Sequence, residues 1–295
     1  MGDRVIYRAK IEKGSGVVQD DGPGLVFPWW SFTKVVLSTA ALLLVARGRL
    51  TLDDALPGRL YTLRHLLQHR SGLPEYGKLA TYHEAVERGA DPWTVEELLD
   101  RVGRENFEYA PGARYAYSNI GYLFVRQLIE TTMDNTIGSA LRTLIFDPLG
   151  LCSVSLAVEP DDLDRTAWGN PDRYHPGWVY HGLLIGSAAD AVRFLDELMA
   201  GRILPPNLLD AMKTKHFHAN GVPCRPWTEF GYGLGLMIGA VEGLGVAFGH
   251  SGVGPRDLSA VYHFPECQIP CTVAAFTEGT DEGVNERAMV ELATQ

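Results

Sequence analysis

Residues 31–47 read SFTKVVLSTAALLLVAR, apolar on nearly every side of a helical projection, and the run stops at Gly48. A helix with one polar face can lie on a protein surface. One that lacks such a face must be packed all round, so this segment demands further layers of structure on each side of it. Gly48 supplies the stop, because glycine adopts the left-handed backbone that ends helices. The apolar part, residues 35–46, is interrupted by Ser38 and Thr39 and bounded by Lys34 and Arg47. It falls far short of the roughly 20 residues that a bilayer span needs. The helix therefore belongs inside a globular fold.

The rest of the chain indicates what surrounds it. Residues 4–11 open with Arg4 and alternate, placing Val5, Tyr7, Ala9 and Ile11 on one side, which predicts a strand. The middle of the chain is mainly helical. Thr94 and Glu97 are spaced as a capping box, and residues 119–132, 136–146 and 187–200 carry helical patterns, the last with Ser187 as N-cap. From Phe230 onward the texture is β: residues 231–239, 244–250, 257–264 and 269–277 are short apolar runs between turns, and 282–293 closes as a helix. One strand at the start and several at the end predict an α+β fold, an α/β sandwich. Its antiparallel sheet is built from both termini and flanked by helices, with a mainly helical domain inserted. The expected division is 1–50 plus 186–295 for the sheet domain and 51–185 for the insertion, with the active-site cleft between them.

Charge narrows the partners. The balance of 26 basic and 36 acidic residues, 26 − 36 = −10, with no Lys/Arg run, argues against nucleic acid. Cys152, Cys224, Cys267 and Cys271 are too few for a disulfide scaffold. Cys267 and Cys271 have no second Cys/His pair nearby to complete a metal site, so they are read as buried thiols. No basic-flanked apolar core marks the first thirty residues as a signal peptide, and the expectation is a soluble, cytoplasmic protein without membrane partners.

Three motifs can carry chemistry. In Ser31-Phe32-Thr33-Lys34 the serine and lysine share a helix face, so the amine can meet the hydroxyl. A lysine desolvated in a buried helix can lose its proton near neutral pH and activate a serine nucleophile. The same letters also describe an N-cap serine followed by a surface lysine. Tyr117-Ser118-Asn119 follows the turn Pro111-Gly112. It offers a hydroxyl that can relay a proton and an amide that can hold lysine and substrate. Its plainer reading is a packed tyrosine and Asn119 as a helix N-cap. Gly249-His250-Ser251-Gly252 ends a predicted strand, where glycines allow close approach and a strand edge can offer N–H groups to an oxyanion.

Taken in order, these motifs resemble the serine β-lactamase and penicillin-binding-protein superfamily. The Tyr-Ser-Asn form points to its class C β-lactamase, D-aminopeptidase and esterase branch. Leu66-Leu67-Gln68-His69-Arg70-Ser71-Gly72-Leu73-Pro74, Asp147-Pro148-Leu149-Gly150 and Gly231-Tyr232-Gly233-Leu234-Gly235 are similar to that branch too, and the resemblance runs from about Arg4 to the C-terminus. It implies a β-lactamase/transpeptidase-like fold, with Ser31 as acylated nucleophile and Lys34 as its base. Tyr117 would exchange protons with leaving group and water, and Asn119 would orient Lys34 and substrate. The backbone N–H groups of Ser31 and Val253 would form the oxyanion hole. His250, Ser251 and Gly252 would line the substrate strand. No metal or organic cofactor is implied.

Two departures from the family pattern matter. His250 stands where β-lactamases carry lysine, which removes the charge that faces a β-lactam carboxylate; Arg256 is a candidate replacement and equally a surface turn residue. Ser31 also comes early, so the family's leading helix, and one strand with it, are expected to be shortened or absent. Gly249–Gly254 misses the nucleophile-elbow pattern at Val253, His65 and His69 lack a metalloprotease glutamate and read as structural, and His181-Gly182 is placed at the cleft. The leading function is a serine hydrolase acting through an acyl-enzyme on a small ester or amide, of esterase or amidase/D-aminopeptidase type. β-Lactamase or DD-peptidase activity ranks second. The competing class is a non-catalytic penicillin-binding or sensor module, disfavoured because every acid–base residue is present.

Overall fold

The computed structural model describes residues 5–103 and 106–295. The alternating segment at the start of the chain forms β1 (Ile6–Glu12), while Arg4, expected to open it, lies outside the described residues. The other strands are β2 (Val18–Asp20), β3 (Phe27–Pro28), β4 (Ser155–Ala157), β5 (Leu183–Gly186), β6 (His218–Asn220), β7 (Trp227–Tyr232), β8 (Met237–Val241), β9 (Gly245–Val253), β10 (Asp257–Phe264) and β11 (Cys271–Glu278). An eight-stranded sheet runs β2-β1-β11-β10-β9-β8-β7-β6, with antiparallel pairing throughout. The two ends of the chain meet in it, Ile6 opposite Thr277 and Glu12 opposite Cys271.

The sheet is buried on both faces, as the period of two requires. Along β11, Ala274 and Phe276 join the large core that contains the first helix, Thr33–Ala46. Val273 and Ala275 face the opposite way, onto Ala288 and Met289 of the C-terminal helix, Glu282–Thr294. The first helix is enclosed as its sequence demands: Val35, Val36, Leu37, Ala40, Ala41 and Leu42 are all fully buried. It ends at Arg47, followed by Gly48 at φ +66°.

A second, three-stranded sheet, β3-β5-β4, fixes the entry to that helix. Strand β5 receives the Trp29 N–H on the Leu184 carbonyl at 2.8 Å, and the Leu184 N–H donates to Thr33 Oγ1 at 3.2 Å. The helix does not begin as one regular element at Ser31: a 3₁₀ turn, Trp30–Phe32, leads into it.

Two further expectations change. Residues 231–239 are not one strand but straddle the β7–β8 connection, where Gly235 (φ +82°) comes so close to the first helix that a Cβ there would lie 2.0 Å from Ser38 Oγ. Asn119 is not the N-cap of its helix. Ser118 is, with Oγ accepting from the Gly121 N–H at 3.1 Å, and Asn119 is the first helical residue of Asn119–Met133. Among the described residues no helix is long and apolar enough to cross a membrane.

Candidate active site

The 3₁₀ turn places Ser31 and Lys34 on one side, with Lys34 Nζ 3.1 Å from Ser31 Oγ. Tyr117 reaches the same oxygen from the helical region, its hydroxyl donating to Ser31 Oγ at 2.9 Å. The tyrosine is held from below and behind. The His69 ring lies 4.1 Å from it, and His69 Nδ1 accepts the Ser118 N–H at 3.0 Å. His69, at φ +54°, and Ser118 are both buried, which fixes the backbone on which Tyr117 sits.

Burial sets the protonation of this cluster. Lys34 is wholly buried, and the loss of solvent lowers its pKa from 10.5 to about 7, with the Glu75 carboxylate pulling the other way. His69 and His181 are held well below the ordinary imidazole value by burial first and by the Lys34 charge second, and the same causes bring His250 to about 3. Lys34 is thus surrounded by neutral imidazoles. Burial also pushes the Tyr117 hydroxyl well above 10, which keeps it a proton donor at neutral pH.

Glu75 was not singled out from the sequence, yet it organises Asn119. One carboxylate oxygen accepts from Asn119 Nδ2 at 3.0 Å and from the Gly77 N–H at 3.0 Å; the other accepts the Asn119 backbone N–H. The amide is therefore engaged by Glu75, the same carboxylate whose charge acts on Lys34. The signal in the sequence was only that Glu75 directly follows the Leu66–Pro74 stretch.

Strand β9 delivers the third motif. His250 Nδ1 lies 2.5 Å from the Ser251 carbonyl, which can only accept, so Nδ1 carries the proton and Nε2 receives the Tyr232 hydroxyl at 3.0 Å. Gly252 passes so close to the serine turn that a Cβ would lie 2.6 Å from Trp30 Cβ and 2.7 Å from the Ser31 nitrogen; one at Gly254 would strike the Trp30 indole at 2.0 Å. Both positions need glycine for contact reasons. Val253, between them, is exposed and borders the cleft. Ser251 points elsewhere: its Oγ meets Tyr262 Oη at 2.9 Å and donates to Glu286, on the side of the sheet covered by the C-terminal helix. Arg256 is fully exposed and pairs with Asp172 at 3.0 Å.

Trp30, beside the serine, has φ +44°, a conformation that costs a non-glycine residue of order ~1–3 kcal/mol. Its indole Nε1 donates to Asp257 Oδ1, and Gly254 packs against its ring, so the turn is held from the β9–β10 end. In front of Ser31 opens a cleft of about 320 Å³. Its wall is aromatic, with Trp30, Tyr76, Tyr82, Tyr174 and Trp178, and it also includes Asn119 and His181. Among the described residues no Asp, Glu, Lys or Arg lines it, and no group of three or more His, Cys, Asp or Glu is placed to hold a metal ion.

The family model described as Beta-lactamase matches residues 5–294. The chain is similar to a D-aminopeptidase of Gluconobacter oxydans, 26% identical over 62% of this chain and 35% of that protein. It is similar to the esterase EstB of Burkholderia gladioli, 26% identical over 68% of this chain and 64% of that one. The chain spans about a third of the length of the first curated relatives it matches. Among solved structures it shares its fold with the D-amino acid amidase of Ochrobactrum anthropi complexed with L-phenylalanine: TM-score 0.79, 22% identity, covering 98% of this chain and 92% of the other.

Proposed function

The chain belongs to the beta-lactamase family, and from that premise we propose that it is a serine acyl hydrolase working on small esters or amides whose acyl group is uncharged. The observation that carries this reading is the convergence on Ser31 Oγ of Lys34 Nζ at 3.1 Å and the Tyr117 hydroxyl at 2.9 Å. An amine with a pKa of about 7 is half deprotonated near neutrality, which is the condition for a general base.

In the first step Ser31 Oγ attacks the substrate carbonyl carbon and its proton passes to Lys34. The oxyanion is received by the backbone N–H groups of Ser31 and Val253, positions that the close approach of Gly252 brings together. Tyr117, still protonated, donates to the departing alcohol or amine as the acyl–oxygen or acyl–nitrogen bond breaks. The proton held by Lys34 then replaces the one Tyr117 gave up. Water attacks the acyl-enzyme and passes one proton to Lys34. Tyr117 protonates Ser31 Oγ as the acyl–Oγ bond breaks and the carboxylic acid leaves, and Lys34 returns its proton to Tyr117. Asn119, with its Nδ2 on Glu75, lines the cleft and would orient the substrate there.

The uncharged wall supports this choice of substrate class. A β-lactam brings a carboxylate, and a buried anion without a partner costs several kcal/mol. His250 is neutral and committed to Tyr232, and Arg256 is committed to Asp172. An ester or amide with an apolar or aromatic acyl group meets no such cost and buries its surface against Trp30, Tyr82 and Trp178. The test is intact mass after treatment with a fluorophosphonate, read beside turnover of short-chain esters and of penicillins. One adduct, absent in Ser31→Ala, with esters turned over faster than penicillins, supports the reading. An adduct that persists in Ser31→Ala, or rapid penicillin turnover beside inert esters, overturns it.

A further inference from the structure

Lys34 has a second close partner. His181 Nε2 lies 3.2 Å from Lys34 Nζ, and the ring is buried, with Nδ1 lacking any hydrogen-bond partner among the described residues. We propose that His181 is a positioning residue for the Ser31–Lys34 pair. It is a neutral imidazole that carries its proton on Nδ1, accepts an N–H of Lys34 at Nε2, and so turns the amine's lone pair to the serine hydroxyl. The inference rests on the reading of Ser31 as nucleophile and Lys34 as its base.

The argument is one of valence. A neutral amine has two N–H donors and a single lone pair. Were His181 protonated on Nε2, it would donate to that lone pair, and Lys34 would have nothing left with which to take the Ser31 proton. With the proton on Nδ1 the contact reverses: Lys34 donates to His181, and the lone pair is free for Ser31, whose oxygen already accepts from Tyr117. Either tautomer leaves Nδ1 buried without a partner, so the contact with Lys34 is what distinguishes them.

The backbone keeps this contact in register with the serine. Gly182, at φ +97°, turns the chain directly from His181 into β5. Leu184 of β5 is bonded on one side to Trp29 and on the other to Thr33, the residues that bracket the serine turn. His181 and Ser31 are therefore fixed to the same short strand. The charged and titratable groups acting on His181 are Lys34, His250, Arg126 and His69. The two other imidazoles have their own contacts, His250 with Tyr232 and Ser251, His69 with Ser118.

Two measurements decide it. Nitrogen-15 NMR of the imidazoles in the wild-type protein at pH 8–9 should show His181 protonated on Nδ1 and bare on Nε2; the opposite tautomer overturns the proposal. The pH dependence of fluorophosphonate labelling of Ser31 should also change in His181→Leu. Labelling should slow by about ten-fold or more, the scale of one hydrogen bond to a charged group. The acid limb should move to lower pH, because the Lys34 ammonium loses an acceptor. His181→Gln, which keeps an acceptor oxygen, should restore the limb and most of the rate. A wild-type profile in His181→Leu would overturn the proposal. If His181→Leu does not fold, the wild-type tautomer alone decides. A wild-type protein that takes no label at Ser31 would overturn the hydrolase reading instead, and the NMR result would still answer for His181.

Discussion

Two cations lie inside this protein on opposite sides of β9, and burial has opposite consequences for them. Lys34 is wholly enclosed among neutral imidazoles and tyrosines, and its pKa falls to about 7. Arg225 is also largely buried, and burial alone would lower its pKa, but hydrogen bonds and charge from Glu286, joined by Glu282, raise it instead. Arg225 Nε donates to Glu286 at 2.7 Å and Nη1 to Glu282 at 2.9 Å, while Trp227 Nε1 donates to Glu286 at 2.8 Å. Ser251 ties β9 into that network, and its neighbours His250 and Gly252 face the Lys34 side. One strand thus separates a cation kept for structure from one kept reactive. What separates them, besides the deeper burial of Lys34, is whether a carboxylate stands at hydrogen-bond distance.

The largest effect is expected on the paired side. Arg225→Ala leaves Glu286, fully buried, without its charged partner, and should cost about 3–5 kcal/mol of stability. The urea midpoint measures it; a midpoint close to wild type would mean that the pair is not what holds β9 to the C-terminal helix. On the reactive side, Lys34→Met should lower kcat/KM for a reporter ester at least ~10²-fold, the usual scale of a lost general base. The same change should raise the urea midpoint at neutral pH. A lysine whose folded pKa lies below its unfolded value opposes folding in full below about 7, and the opposition fades as the pH rises from about 7 to 10.5. Full activity, or a lower midpoint, would erase the contrast between the two cations.

Smaller effects sharpen the comparison. The logarithm of kcat/KM should rise with pH through about 7 and then level, because only the neutral amine of Lys34 takes the serine proton. A profile flat from pH 6 to 8 would contradict this. Glu75→Gln removes the one carboxylate that raises Lys34, so the limb should move to lower pH by a fraction of a unit, read from the same profile. A limb that moved upward would show that Glu75 acts on Lys34 other than through its charge.

The parts of this site that the sequence made legible are those written in local spacing. Ser31 and Lys34 lie one turn apart, and Tyr117 stands just ahead of a helix with an evident start, so each could be placed before its neighbours were known. Glu75 could not, and His181 could be placed at the cleft but not against Lys34. They arrive from loops whose approach to Lys34 depends on how β5 and the helical region pack, and neither sits in a periodic pattern. Ser251 was misjudged for a reason that lay in the chain: along a strand with His250 turned to the cleft, the next side chain must turn away. The short edge strands β2 and β6 are not legible, while the middle of the large sheet is, from its apolar runs, apart from the β7–β8 connection. There the glycines that mark the turn made two strands look like one. The cap falls to Ser118, whose Oγ accepts the Gly121 N–H, while the Asn119 backbone N–H and Nδ2 go to Glu75, a contact that no local rule contains.

The pairing of β1 with β11 sets a timetable. As the chain leaves the ribosome β1 can pair with β2 at once, but its other edge stays open until residues 271–278 have been made, a contact of very long sequence separation. Before β9 and Asp257 have been made, the Ser31 turn lacks the contacts of Gly252, Gly254 and Asp257, and a solvated Lys34 is an ordinary ammonium with a pKa near 10.5. On the proposed reading, Ser31 gains its base only once the late strands are in place.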